Sequence, residues 1–283
     1  MASPLARSRA RALLALGALP FTPMPARQAT LARFLQTVAP ELEAGPELAL
    51  SIALDLRRAT VWAGGQHAEE GAQAVIAGAD EEEQARFQAA ARGLSLAAWL
   101  ELSADGVDGG WYAQVEQPLD RALAQLAPSA ARDAFARWAE GTELACLRLR
   151  RSVGAGARFT ELLVLAEDPE EEAAKAALGD EALFRALGVP ALPEALLDRA
   201  PVRAGAVVRF TDSGVARVGL VVAEPPSRQL IELSDALGID QALDQRRAAF
   251  EGALGGEGPR FASVHRDGDG PGVEAHYDAS SGD

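Results

Sequence analysis

The chain has 283 residues, of which 48% are hydrophobic and 24% are charged, a composition that is ordinary for a globular protein with a sizeable core. Its formal net charge of −14 argues against a surface that binds nucleic acid or anionic membranes, because such surfaces need excess Lys and Arg. No stretch approaches the roughly 20 consecutive apolar residues of a membrane-spanning helix. The single cysteine, Cys146, excludes an intramolecular disulfide and a cysteine-based zinc cluster. We therefore expect a cytoplasmic protein with no nucleic-acid partner and no membrane span.

The N-terminal segment, residues 1–27, has two interpretations. Arg7, Arg9 and Arg11 precede an apolar run over 12–21, which is the outline of a secretory signal, but no convincing small-x-small cleavage site follows. We assign residues 1–27 to an N-terminal tail, disordered or helical, and keep a cleaved signal as the alternative. Residues 28–283 are assigned to a single α/β barrel domain.

Helical and strand periodicities alternate along the rest of the chain. Apolar residues at helical spacing predict helical segments over 28–43, 67–93, 118–140, 169–200 and 227–254. Between them, alternation of apolar and polar residues around turn residues predicts five β-hairpins, over 48–64, 97–116, 144–167, 205–224 and 260–278. The first hairpin has the weakest pattern, because it lacks a glycine turn and is also compatible with a partly helical segment.

The predicted hairpin turns recur about every fifty residues, which indicates a repeat architecture. Kelch propellers share this period, but their blades have four strands and no intervening helices. Five helix-plus-hairpin units instead supply ten antiparallel strands. Closure of such a sheet into a barrel removes its two exposed edges. We therefore predict an α+β fold in which a ten-stranded antiparallel barrel is surrounded by helices.

In the order and number of these elements the chain resembles the aromatic prenyltransferases of the ABBA, or PT-barrel, fold, which are built from consecutive α-β-β-α units. The resemblance extends from about residue 28 to the last hairpin, and no short motif accompanies it. It implies the transfer of an isoprenyl group from an allylic diphosphate to an aromatic acceptor, either a small molecule or a peptide. It implies no resident metal and leaves Mg²⁺ open as a companion of the diphosphate.

Each predicted hairpin has one aliphatic and one polar face. In the third hairpin Arg148 and Arg150 alternate with leucines, and Cys146 falls on the arginine face. In an open sheet the polar face meets water, whereas in a closed barrel it lines a lumen. The lumen is favoured because aromatic residues such as Trp99 and Tyr112 share the polar face, and small-molecule sites combine aromatic walls with a few convergent charges.

Under the prenyltransferase resemblance, arginines of the polar face bind the diphosphate, since guanidinium groups bind phosphate through paired hydrogen bonds. The residues assigned to this role are Arg148, Arg150, Arg209 and Arg217, with Arg57 and Arg266 in reserve. Trp99 and Tyr112 are assigned to shield the allylic cation by cation–π attraction. Glu101, in the middle of a strand, is assigned as the general base that takes the proton from the acceptor.

One segment of the sequence allows interpretation as a metal site. The segment from His265 to His276 contains carboxylates that could hold Ca²⁺ or Mg²⁺, although its Gly-Asp-Gly-Pro-Gly sequence is better explained as a hairpin turn. With three histidines scattered along the chain, at 67, 265 and 276, we expect no catalytic triad and no three-histidine metal site.

ABBA enzymes line their lumen with many tyrosines, whereas this chain has two. The alternative function is therefore a non-catalytic binding or scaffold protein of the same fold, which holds a hydrophobic small molecule or a protein partner.

Overall fold

The computed structural model describes residues 4–20, 25–38, 47–64, 68–103, 106–140, 142–153, 158–179, 182–200, 202–256 and 258–278. Its centre is a closed barrel of ten strands. The strands are β1 (Glu47–Ala53), β2 (Arg58–Gly64), β3 (Leu96–Ser103), β4 (Val107–Pro118), β5 (Leu144–Ser152), β6 (Phe159–Ala166), β7 (Gly205–Thr211), β8 (Gly214–Ala223), β9 (Phe261–Asp267) and β10 (Gly270–Asp278). Each strand pairs with its neighbours in sequence, and β10 pairs with β1 to close the barrel.

The pairing of the first and last hairpins decides closure. Leu50 lies opposite Tyr277, and Ile52 lies opposite Ala275, so the sheet has no free edge. Strands β1 and β2 form an antiparallel hairpin, and its turn uses Leu56 at a φ of 56°, a left-handed conformation that glycine adopts more easily. The predicted ten-stranded antiparallel barrel, including its weakest hairpin, is confirmed.

Helices cover the outside of the barrel. They are α1 (Pro4–Gly17), α2 (Pro25–Val38), α3 (Ala68–Ile76), α4 (Glu81–Ala91), α5 (Leu119–Leu123), α6 (Ala130–Ala139), α7 (Glu172–Ala177), α8 (Ala182–Ala186), α9 (Glu194–Leu197), α10 (Ser227–Ala236) and α11 (Gln241–Ala253). The segments predicted after residue 67 are each divided into two or three helices, because side chains such as Asp80, Ser129 and Asp240 cap a new helix by accepting backbone N–H groups of its first turn. The end of the segment predicted at 28–43 lies outside the described residues.

The main hydrophobic core lies between the barrel and the helices. Leu48, Leu50 and Ile52 of β1 point outward into this core and are at most 2% exposed. Ser51, between them, points into the lumen, where it contacts other strands of the barrel. Burial of the aliphatic face against the helices stabilises the fold by roughly 25 cal/mol per Å² of apolar surface. The polar face is thus enclosed and does not meet bulk water as in an open sheet.

Helix α1 lies within the segment assigned to the N-terminal tail. Its Ala12, Ala15 and Leu16, together with Leu19, are buried in the main core, and α1 contacts α11 and β1. Part of the apolar run that follows the N-terminal arginines therefore forms the buried face of this helix, whereas Leu13 and Leu14 are exposed. Within the described ranges, no helix has both the length and the apolar character needed to cross a lipid bilayer.

A β-bulge reverses the predicted orientations of two neighbouring side chains. The register between β5 and β6 shifts between Cys146 and Arg148, and an extra residue in a strand interrupts its alternation. As a result, Cys146 packs in the main core with helix-facing side chains, whereas Leu147 packs with the lumen side chains Leu163 and Val207. The prediction that Cys146 faces the lumen is wrong.

We expect Cys146 to be unreactive in the folded protein. Its side chain is fully buried, and burial raises its pKa to about 12, so almost no thiolate is present at neutral pH. Mass spectrometry after treatment with N-ethylmaleimide at pH 7 should find no adduct on the native protein and one adduct after unfolding in urea. Rapid labelling of the native protein would contradict the outward, buried position.

Candidate functional site

The four arginines assigned to a diphosphate all project into the barrel. Arg148 and Arg150 come from β5, Arg209 from β7 and Arg217 from β8. Their side chains are between 1% and 12% exposed. Strand β6 lies between β5 and β7 and contributes Glu161 to the same interior. The alternation of the strands therefore brings these five side chains together.

Glu161 is the common counter-ion of the four arginines. Nε of Arg209 donates a hydrogen bond to its carboxylate at 2.9 Å. Nη1 of Arg150 lies 3.6 Å from the carboxylate, and the nearest nitrogens of Arg148 and Arg217 each lie 4.0 Å from it. Because a buried charge is tolerated only beside an opposite charge, Glu161 makes the convergence of the arginines possible.

Three further carboxylates pair with the lumen arginines. Nη2 of Arg150 donates to Glu101 at 3.0 Å. Arg217 donates to Glu274 at 2.8 Å and to Asp267 at 3.2 Å. We call the whole set of interior ion pairs the lumen network. Its members are Arg58, Arg148, Arg150, Arg209, Arg217, Glu101, Glu161, Asp267 and Glu274.

The lumen network shifts the pKa values of its members. Burial alone would raise the pKa of Glu161, but Arg209, Arg150 and Arg217 outweigh it and hold this pKa well below the ordinary value. Burial, together with the like charge of Arg217, lowers the pKa of Arg209 to about 10. Burial also opposes ionisation of Glu101, but Arg150 prevails and lowers its pKa. These groups are therefore charged at neutral pH, and ion pairing makes Glu101 a weaker base than a free carboxylate.

The aromatic side chains of the lumen surround Arg150. Its Cζ lies 3.6 Å from the ring centroid of Trp99 and 5.0 Å from that of Trp62. Tyr112 packs edge-on against Trp62 with a centroid separation of 5.1 Å. The two distances from Arg150 to the tryptophan rings are typical of cation–π contacts. Trp99, which the sequence assigned to shield an allylic cation, therefore already contacts a cation of the protein.

A cavity opens at the end of the barrel where the helical connections join the strands. This connection-end cavity measures about 200 Å³, and its aromatic and charged walls include Trp62, Tyr112, Phe261, His276 and Arg148. Deeper in the lumen there is far less room. The gap bounded in part by Arg148, Glu161, Arg217 and Glu274 measures about 10 Å³, which is about the space of one water molecule.

A hydrogen-bond relay fixes the wall of the connection-end cavity. Nε1 of Trp62 donates to Oγ of Ser51 at 2.6 Å, and this Oγ lies 2.5 Å from Nδ1 of His276. Because Ser51 accepts from Trp62, its own O–H donates to His276. The ring of His276 stacks on that of Phe261, with a centroid separation of 4.0 Å. Burial, followed by the charge of Arg148, lowers the pKa of His276 to about 3. The imidazole is therefore neutral at physiological pH and serves as a fixed acceptor of the serine hydroxyl.

The two reserve arginines do not join the lumen network. Arg57 lies in the β1–β2 turn, where its side chain is 80% exposed and pairs with Asp55. Arg266 occupies the strand position next to His265, whose side chain is in the lumen, so strand alternation directs Arg266 toward the helices. Neither residue is placed to act with the four interior arginines.

Sequence reasoning missed the carboxylates that neutralise the interior arginines. Asp267 borders the turn of the β9–β10 hairpin and Glu274 lies within β10 opposite Ser263, and both bind Arg217 inside the barrel. Among the residues that the structure describes, no group of three or more His, Cys, Asp or Glu side chains is positioned to hold a metal ion. The available signal for Glu161 was a lone carboxylate on the polar face of an otherwise apolar strand. Its partners could be identified only from the pairing register.

Comparison of the sequence with known families and proteins gives a partial match. No protein-family model matches the chain. A PH domain-containing protein of Dictyostelium discoideum is 30% identical over 179 residues, which is 59% of this chain, and the chain spans 38% of the length of that relative.

Two solved structures are similar to nearly the whole chain. One is 6-dimethylallyltryptophan synthase from Micromonospora olivasterospora in complex with DMASPP and tryptophan, with a TM-score of 0.66, 11% identity, and coverage of 98% of this chain and 97% of that chain. The other is AnaPT from Neosartorya fischeri, with a TM-score of 0.63, 12% identity, and coverage of 98% and 91%. At these identities the likeness establishes the fold, and the resemblance to the ABBA prenyltransferases is confirmed at that level.

We predict that Glu161→Gln strongly destabilises the protein. Removal of one partner from a buried ion pair leaves uncompensated charge, here on several arginines, and typically costs about 3–5 kcal/mol. Urea unfolding should report this loss in the free energy of unfolding. The exposed Glu143 supplies the matched control, since Glu143→Gln should change stability by no more than about 0.5 kcal/mol. Equal effects of the two substitutions would show that Glu161 does not hold the arginines.

The buried histidines predict a pH dependence of stability. Burial, followed by the charge of Arg217, lowers the pKa of His265 to about 3, and His276 has a similarly lowered pKa. In the unfolded chain both histidines bind protons near pH 6.5, so the unfolded state gains protons as the pH falls below this value. The free energy of unfolding should therefore fall between pH 6.5 and 5, with a slope approaching about 1.4 kcal/mol per pH unit for each histidine.

Urea titrations across this pH range test the prediction. His276→Asn should remove about half of the slope that the two histidines contribute. A free energy of unfolding that stays constant over this range would contradict burial of neutral imidazoles.

Proposed function

We propose that the protein binds a small aromatic compound with one acidic group in its connection-end cavity, without transferring a prenyl group. The observation that carries this proposal is the occupation of the arginine cluster by Glu161. The gap beside this carboxylate has space for about one water molecule. A diphosphate would therefore have to displace the Glu161 carboxylate from the arginines. The connection-end cavity, at about 200 Å³, is smaller than the roughly 300–1,000 Å³ of typical small-molecule sites, and it suits a single ring system.

Arg148 is the interior arginine best placed to bind the acidic group. It lines the connection-end cavity, and its ion pair with Glu161 is long, at 4.0 Å. Arg150, Arg209 and Arg217 each have a carboxylate oxygen within 3.0 Å. A single negative charge on the ligand therefore improves the pairing of Arg148 without disturbing the other arginines.

The walls of the cavity favour an aromatic ligand. Trp62 and Phe261 present ring surfaces to Arg148, with ring centroids 4.0 Å and 5.8 Å from its Cζ. Aromatic ligands gain both apolar burial and ring–ring contacts in such surroundings. The 6-dimethylallyltryptophan synthase of the same fold was solved with tryptophan bound, which supports an aromatic compound as the ligand class of the barrel.

Calorimetric titration with indole-3-acetate and tryptamine tests this function. The two compounds share a ring system and differ in the sign of their charge, so indole-3-acetate should bind at least about tenfold more tightly, as expected for a charge-assisted hydrogen bond. Arg148→Ala should remove this preference, and Arg57→Ala, which changes an exposed arginine at the other end of the barrel, should not. Equal affinity for both compounds, or an unaltered preference in Arg148→Ala, would contradict the proposal.

A second candidate function is the prenyl transfer implied by the fold. The observation in its favour is a set of interior N–H donors without hydrogen-bond partners among the described residues: Nε and Nη1 of Arg150 and Nε of Arg217. Unsatisfied buried donors are costly, and a diphosphate that displaced Glu161 would satisfy them. Glu101 and Trp99 lie beside Arg150 in the same lumen, as this reaction would need.

In this second candidate, the bond between the allylic carbon and the diphosphate oxygen breaks, and the diphosphate leaves with the bonding electrons. The allylic carbon forms a new bond to a ring carbon of the acceptor, and that carbon loses its proton to Glu101. Arg148, Arg150, Arg209 and Arg217 would hold the leaving diphosphate. Because the described side chains offer no set of metal ligands, any Mg²⁺ would be carried by the diphosphate and water.

Incubation with dimethylallyl diphosphate, Mg²⁺ and tryptophan separates the two candidates. We expect the wild-type protein to show neither a thermal shift with the diphosphate nor a prenylated product by mass spectrometry, because Glu161 occupies the arginines. Glu161→Gln should bind inorganic diphosphate more tightly than the wild type, since it removes the competing charge. A prenylated product that forms with the wild type and is lost in Arg209→Ala would contradict the binding proposal and establish the second candidate.

A further inference from the structure

A second cavity lies at the opposite end of the barrel, where the hairpin turns are. It measures about 490 Å³ and is bounded by the β1–β2 turn, the β9–β10 turn and the loop between α10 and α11. We call it the turn-end cavity. The functions considered above do not use it, and none of the residues that line it lines the connection-end cavity.

His265 presents an unused hydrogen-bond acceptor to the turn-end cavity. The residue is 1% exposed and lines this cavity. Its Nδ1 lies 3.3 Å from the carbonyl oxygen of Ser263, and because a carbonyl can only accept, Nδ1 carries the proton. Nε2 therefore carries a lone pair, and it has no hydrogen-bond partner among the described residues. A buried polar atom without a partner is costly, and a ligand donor would remove this cost.

Two glycines lie so close to His265 that a side chain at either position would crowd it. A Cβ at Gly219 would lie 2.6 Å from the Cβ of His265, and a Cβ at Gly272 would lie 3.0 Å from Nε2. Both distances are shorter than ordinary van der Waals contact. Glycine at 219 thus admits the side chain of His265, and glycine at 272 places no side chain against Nε2. Gly272 itself lines the cavity.

The groups around Nε2 mix donors with acceptors. Oδ2 of Asp267 lies 3.7 Å from Nε2 and is bound by both Arg58 and Arg217. A metal ion or an ammonium group at this point would be repelled by the two guanidinium groups. An anion would meet the carboxylates that line the cavity, which are Asp55, Asp240, Asp267 and Asp269. A hydroxyl group carries no charge and can donate to Nε2 while it accepts from an arginine.

We propose that the turn-end cavity binds a neutral polyhydroxylated small molecule, one of whose hydroxyl groups donates a hydrogen bond to Nε2 of His265. The carboxylates of the rim accept further hydroxyl groups, and Arg58 donates to one. The apolar side chains of Ile239 and Leu243, which also line the cavity, pack against the carbon skeleton of the ligand. The cavity volume, within the usual range for ligand sites, accommodates a molecule of the size of a monosaccharide or a cyclitol.

Nuclear magnetic resonance of the ¹⁵N-labelled histidines tests this proposal with myo-inositol and D-glucose as probes. A saturable shift of the Nε2 resonance of His265 is expected with at least one of them in the wild type. Gly272→Ala should weaken this binding at least tenfold, because the methyl group of the introduced alanine would obstruct Nε2 of His265. Gly268→Ala, in the same hairpin but facing open space, is the matched control and should bind as the wild type does.

His265→Phe provides a second variant that fills the same space without the acceptor, and a calorimetric titration should show at least a tenfold loss of affinity. Arg148→Ala should leave binding at this site unchanged, so failure here is distinguishable from failure of the aromatic-ligand proposal. Three outcomes would overturn the proposal: no saturable shift with either probe, equal binding in Gly272→Ala and the wild type, or saturation by inorganic phosphate in place of the polyols.

Discussion

The enclosure of charged arginines in a closed barrel is the constraint on which the rest of the structure depends. Each guanidinium that leaves water loses several kcal/mol of solvation unless an opposite charge lies close to it. Pairing of β1 with β10 closes the wall, so the counter-charges come from the protein. Glu161 provides a carboxylate within 4.0 Å of four arginines, and Glu101, Asp267 and Glu274 supply further negative charge. The barrel and its interior charges are therefore stable only together.

The lumen network also limits which ligands the barrel can take. A diphosphate competes with Glu161 for the same guanidinium groups, whereas an aromatic acid at the connection end needs only Arg148, whose existing ion pair is long. At the turn end, Asp267 is neutralised by Arg58 and Arg217, and His265 is left as an uncharged acceptor. In our proposals the two ends of one lumen therefore bind ligands of different chemistry, although the fold is that of aromatic prenyltransferases.

The fold was largely predictable from the sequence, because alternation and turn residues are local signals. Even the β1–β2 hairpin forms without a glycine turn, since the burial of Leu48, Leu50 and Ile52 on one face outweighs the strain at Leu56. The site was less predictable. Strand alternation places arginines on a common face, but the pairing of Glu161 with them depends on register across three strands. The orientation of Cys146 depends on a bulge that no local pattern indicates.

The most direct test of this account is the ionisation of Glu161, followed through the Cδ resonance of ¹³C-labelled glutamate and assigned with Glu161→Gln. We expect this carboxylate to stay ionised from pH 7 down to the pH at which the protein unfolds. Titration of the folded protein with a midpoint near the ordinary glutamate value of about 4.3, or a protonated carboxyl group at neutral pH, would contradict it.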